Sequence, residues 1–166
     1  MTDALNVGVA EIKVSCNSDI LASFGLGSCV AVAMFDPLRK VGGLAHIMLP
    51  ESKGREAQSP GKFADTAVVK LVEELLRLGA RQSRLRCKIA GGAQMFEIPG
   101  ARKGESGVSA SNIGARNVEA VKKALDEKGI PLVGEDTGGN YGRTVKFYSS
   151  TGELEITSIY HGRAVL

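Results

Sequence analysis

The stretch Phe24–Pro50, FGLGSCVAVAMFDPLRKVGGLAHIMLP, governs how the rest of the chain is read. Two apolar runs, Val30–Phe35 and Val41–Met48, flank Asp36-Pro37-Leu38-Arg39. Aspartate followed by proline suits a type I turn, so an antiparallel hairpin is expected. If Asp36 and Arg39 close that turn, Cys29 falls directly opposite His46, on the same face, with Cβ atoms about 4.5–5.5 Å apart. A slip of one residue would turn His46 to the other face, and Gly42-Gly43 is a place where a bulge would produce one.

A thiol and an imidazole side by side admit two readings. Cys29 reads either as a buried strand thiol or as a nucleophile, and His46 either as a hydrogen-bonded core histidine or as the base that activates the thiol. On the second reading the glycines of FGLGSC acquire a use, because a turn poor in side chains lets backbone N–H groups of Gly27 and Ser28 point inward beside the sulfur as oxyanion donors. Ser23 or Ser28 supplies a hydroxyl to orient the imidazole. Cys16 and Cys87 lack an adjoining glycine turn and read as structural thiols, and His161 lies in a solvent-facing tail, YHGRAVL.

Outward from the hairpin, Val7, Val9, Ile12 and Val14 suggest an early strand whose phase changes near Ala10, as at a bulge. Ala64, Val68, Leu71, Val72, Leu75 and Leu78 fall at helical spacing and Gly79 supplies the stop. Leu85, Cys87 and Ile89 alternate with Arg84, Arg86 and Lys88, a strand with one wet face ending in AGGA. Ile98 to Ser111 reads as a loop. A second helix starts near Asn112, with Ile113, Val118, Val121 and Leu125 as its buried stripe, and ends at Gly129 and Pro131. Short runs at Leu132–Val133, Thr144–Tyr148 and Leu154–Ile159 read as strands between the turn signals DTGGN and SSTGE. The expected fold is α+β: about seven mostly antiparallel strands in layered sheets, with two amphipathic helices packed on one side.

Composition narrows the function. A chain of 166 residues fits a single domain, 1–166, that buries its core without disulfides or metal. The net charge of +3 is mildly basic, but aromatics are only 5% and tryptophan is absent, a poor supply of stacking platforms for nucleic acid. Three irregularly spaced cysteines without a CxxC fit neither a disulfide framework nor a zinc site. No basic-then-apolar leader opens the chain and no long apolar run crosses a membrane, so a cytoplasmic location without membrane insertion is expected. AGGA and DTGGN lack the Lys-Ser/Thr of a phosphate loop and read as tight turns, leaving no cofactor to expect.

The motifs LGSC, AHIMLP, GKFADTAV, KIAGGAQMF, NIGARN and EDTGGN, in this order, make the chain resemble the chemoreceptor glutamine deamidases of bacterial chemotaxis, the CheD family. The resemblance implies Cys29 as nucleophile, His46 as general base, and Ser23 where the family carries a catalytic threonine six residues before the cysteine. It implies hydrolysis of receptor glutamine side chains to glutamate, chemoreceptor cytoplasmic helices as substrate, and a CheC-type response-regulator phosphatase as binding partner. It also implies a fold similar to the cytotoxic necrotizing factor catalytic domain. Binding to that phosphatase, with catalysis secondary, is the alternative function; a cysteine peptidase or transglutaminase would use the same acyl-enzyme logic.

Overall fold

The hairpin of the opening stretch forms, as β4 (Val30–Asp36) and β5 (Val41–Ile47). Its loop is longer than a four-residue turn: Asp36 pairs with Val41, and the intervening loop ends on Lys40 in the left-handed region at φ 57°. The Asp36 carbonyl accepts from the Lys40 N–H at 2.9 Å, while one carboxylate oxygen accepts from the N–H groups of Leu38 and Arg39. The register is therefore offset by two residues from the expected one. Ala31, not Cys29, stands opposite His46. Because side-chain direction has a period of two, this offset keeps Cys29 and His46 on one face, where a one-residue slip would have parted them. Gly42 and Gly43 host no bulge; a Cβ on Gly42 would lie 2.9 Å from the Phe147 ring, so close packing is their use.

The computed structural model describes residues 3–54, 59–95 and 112–166. The loop expected at Ile98 to Ser111 lies outside them. The remaining elements are β1 (Leu5–Asn6), β2 (Ile12–Ser15), β3 (Ile20–Leu26), α1 (Ala64–Arg77), β6 (Arg86–Gly91), α2 (Ile113–Glu127), β7 (Leu132–Thr137), β8 (Arg143–Tyr148), β9 (Glu153–Ser158) and β10 (Gly162–Val165). They build two five-stranded sheets, in the orders β1-β3-β8-β9-β10 and β2-β5-β4-β6-β7. Both sheets are mixed, since β1 pairs parallel to β3 and β6 parallel to β7.

Ten strands rather than about seven are described, and the additions have local causes. The phase change near Ala10 is a crossover between sheets: β1 joins β3, Ala10 turns at φ 67°, and β2 joins β5. The tail expected to face solvent does so with its side chains, which carry no burial pattern, but its backbone pairs with β9 as β10.

Both helices cover the same sheet. Val68, Leu71, Val72 and Leu75 of α1 and Val121 and Leu125 of α2 pack on Val30, Val32, Ala45, Ile47 and Ile89. Each such side chain contributes about 1.5–3 kcal/mol on burial. The opposite face of that sheet, through Ala31, Ala33, Phe35 and Leu44, packs on Leu21, Leu26, Val145 and Phe147 of the first sheet. The layers are thus sheet, sheet, helices. Among the described residues no helix is long and apolar enough to cross a membrane.

Candidate active site

Two strands from one sheet and one from the other converge at the open end of the β4–β5 hairpin. Cys29, the residue before β4, is half-buried and packs against the cluster between the sheets. His46, near the end of β5, is 3% exposed. Leu44, two residues earlier, belongs to the same inter-sheet cluster, so both side chains enter the layer between the sheets.

Val7 orients the imidazole. Its carbonyl lies 3.1 Å from His46 Nδ1, and a carbonyl only accepts, so Nδ1 carries the proton. Nε2 is left with its lone pair, buried and without a hydrogen-bond partner among the described residues. Ser23, fully buried on β3, donates its hydroxyl to the same Val7 carbonyl at 2.7 Å. Ser23 therefore reaches the imidazole through a shared acceptor rather than directly. A backbone carbonyl has no sequence signature, and Val7 was legible only as a strand residue.

Burial lowers the His46 pKa from its ordinary value, with the Val7 carbonyl and the charge of Glu11 working against it. Burial likewise raises the Cys29 thiol, partly opposed by the residue's own backbone N–H. Both shifts favour a neutral thiol and a neutral imidazole over an ion pair. The two are not hydrogen-bonded in this state, since Nε2 has no partner. Such catalytic contacts commonly tighten only when substrate is bound.

The turn before the sulfur is held by its carbonyls. Gly27 O accepts from Ala93 N–H and Cys29 O from Gly92 N–H, both at 2.9 Å. Ser28 O accepts from the side-chain amide of Asn117, also at 2.9 Å. Among the described residues the N–H groups of Gly27, Ser28 and Cys29 donate to no backbone carbonyl. The AGGA motif thus serves the turn: Gly91 has φ 116°, and a Cβ there would lie 2.3 Å from Cys29 O. DTGGN supports AGGA in turn, through Gly138 N–H to Gly91 O and Gln94 N–H to Gly139 O. Arg143, 2% exposed, fixes that loop by bonding Asp136 and the Gly138 carbonyl.

Beside the turn opens a groove of about 850 Å³ lined by Gly25, Met95, Tyr141, Arg143, Tyr160 and His161 among others; neither Cys29 nor His46 lines it. The exposed His161 stacks on Tyr141 at 3.8 Å, and Cys87 is wholly buried, which pushes its thiol well above the ordinary thiol range. Cys16 is exposed.

Residues 48–158 match the family described as CheD chemotactic sensory transduction. That match begins downstream of Ser23, Cys29 and His46, so the full-length relatives are the comparison that spans the site. A probable chemoreceptor glutamine deamidase CheD of Desulfitobacterium hafniense is 46% identical over 166 residues, all of both chains. The chemoreceptor glutamine deamidase CheD of Thermotoga maritima is 51% identical over 156 residues, 94% of this chain and 92% of that protein. A probable counterpart from Caldanaerobacter subterraneus is 51% identical over 159 residues, 95% of this chain and 94% of its own length. With such identity along its whole length, and a family match over most of it, the chain belongs to the CheD family.

Proposed function

We propose that the protein hydrolyses the side-chain carboxamide of selected glutamines on the cytoplasmic helices of methyl-accepting chemoreceptors, in the cytoplasm and without a cofactor. The observation that carries this reading is the state of His46: Nδ1 is tied to Val7, and Nε2 is an unoccupied base in the layer that also receives Cys29. The names of the full-length relatives supply the substrate class.

In the first half-reaction Nε2 takes the Cys29 proton as the sulfur bonds to the carboxamide carbon. The carbonyl π electrons move to oxygen, and N–H groups of the turn at Gly27, Ser28 and Cys29 receive that charge. Each well-aimed donor contributes about 2.7–4 kcal/mol. When the C–N bond breaks, the imidazolium proton passes to the leaving nitrogen as ammonia, and a thioester remains. In the second half-reaction water gives a proton to Nε2 and attacks the thioester carbon. The C–S bond then breaks, the sulfur recovers the proton, and glutamate is released. Ser23 acts here as a positioning residue, holding the Val7 carbonyl that holds the ring.

A second reading, binding of a CheC-type phosphatase, is favoured by three exposed apolar side chains around the turn. Phe24 precedes it on β3, Met95 lies against Gly27, and Met48 follows Ile47 beside the sulfur-bearing segment. The likeness in fold and dyad to the cytotoxic necrotizing factor toxins belongs to the same proposal.

The test is a purified receptor cytoplasmic fragment incubated with wild-type protein and with Cys29→Ala, followed by ammonia assay and intact-mass spectrometry. Wild type is expected to convert amide to acid without cutting or crosslinking the chain, and the variant to leave it unchanged while retaining any phosphatase binding. Ammonia release by Cys29→Ala, or cleavage by wild type, sinks the deamidase reading.

A further inference from the structure

We infer that Asn117 is a positioning residue for the reaction, aiming the Cys29 backbone N–H as an oxyanion donor; this rests on the thioester reading above. Asn117 sits on α2, wholly buried, at the point where the helix crosses the open end of the hairpin. Its Nδ2 donates to Ser28 O at 2.9 Å and to Met48 O at 3.0 Å. Both partners are carbonyls, so the amide has one orientation: flipping it would set Oδ1 against two acceptors. Oδ1 is buried without a partner among the described residues. A buried acceptor left open is costly, and an apolar residue at this place on the helix would avoid that cost. What the apolar residue would forfeit is the double donation.

That donation has a geometric effect on the nucleophile. In a trans peptide the C=O and the following N–H point in opposite directions. Pulling Ser28 O toward α2 turns the Cys29 N–H away from the helix. The Ala93 N–H bond to Gly27 O does the same for the Ser28 N–H. By holding Ser28 and Met48 at once, Asn117 also joins the segment that carries Cys29 to the end of the strand that carries His46. The residue is otherwise far from the chemistry in sequence, 88 positions beyond Cys29.

The experiment compares Asn117→Leu and Asn117→Val, both apolar and neither able to donate, with wild type and Cys29→Ala on a receptor cytoplasmic fragment. Expected for both Asn117 variants is a kcat lower by about 10²-fold, with KM for the fragment unchanged. Alkylation of Cys29 by iodoacetamide, followed by peptide mass across pH, is expected to match wild type, because that displacement builds no oxyanion. A full kcat in a folded variant overturns the inference, and so does alkylation that slows in step with kcat. Should neither variant fold, the wild-type protein still decides. A peptide with an aldehyde in place of the glutamine carboxamide forms a thiohemiacetal, and the Cys29 amide proton is expected to move downfield in NMR; an unmoved resonance overturns the inference. Failure of the deamidase reading is distinct, since it appears as inactivity of the wild type.

Discussion

The two ends of the β4–β5 hairpin are built on opposite principles. At the closed end the fully buried Asp36 carboxylate accepts from the N–H groups of Leu38, Arg39 and Arg81 and from the Arg84 guanidinium, at 2.9–3.1 Å. Burial works to raise its pKa, but Arg84 and those backbone donors outweigh it and hold the carboxyl well below the carboxylate range. At the open end, among the described residues, His46 Nε2 and Asn117 Oδ1 are buried without a hydrogen-bond partner, and the turn's N–H groups donate to no backbone carbonyl. Saturated bonding pins the register at one end; in the proposed mechanism the open groups at the other end are what a substrate uses. The hairpin is fastened at one end so that it can stay unsatisfied at the other.

The contrast is broken most severely from the open end. In the proposed mechanism His46→Ala removes both the base and the acid, and kcat for receptor deamidation is expected to fall by about 10²- to 10⁴-fold while the melting temperature stays close to wild type. Unchanged turnover would show that the free Nε2 has no chemical use. At the closed end Asp36→Ala strips three N–H groups and Arg84 of their acceptor, and about 3 kcal/mol of stability is expected to go, measured by urea unfolding. Activity per folded molecule should survive, and a fall in kcat as large as that of His46→Ala would mean the two ends are not separable.

The pH dependence sharpens the comparison. With His46 lowered and Cys29 raised, kcat/KM is expected to hold a broad plateau, its acid limb below 6.5 and its alkaline limb above 9.0. An alkaline limb below 9.0 would indicate an ion pair instead of neutral partners, because that limb would then report an imidazolium giving up its proton. Stability follows the same sign: an unfolded histidine takes up its proton before the folded one, so the His46 contribution is present above 6.5 and is lost as pH falls through it. Asp36, depressed in the folded chain, adds a loss that begins lower, as pH falls through 3.8. Smallest is Ser23→Ala, which removes one hydrogen bond to Val7 O. A cost near 1 kcal/mol in stability and a loss of up to about tenfold in kcat are expected, with KM unaltered. Wild-type turnover in this variant would leave the Val7 carbonyl sufficient by itself.

Much of the frame was readable from local chemistry. The α1 stripe and its stop at Gly79, which has φ 97°, are side-chain periodicity and backbone permissiveness, both written within a few residues. Asn112 caps α2 by accepting from Ala115 N–H at 3.2 Å, as its place in the sequence suggested. The β10 pairing was missed because exposed edge residues carry no burial alternation. The hairpin offset was missed because the loop depends on Lys40 adopting a left-handed backbone, which lysine rarely announces.

What the sequence determined unaided was composition by position: a glycine turn delivering a cysteine, a histidine on the facing strand and two amphipathic helices. What only the tertiary structure decided was which free donors and acceptors survive assembly. The Val7 carbonyl meets the imidazole, and the Asn117 amide and the AGGA backbone meet the turn, from three distant parts of the chain. Hydrogen bonds to carbonyls are indifferent to residue type, so nothing in the letters of the sequence records them.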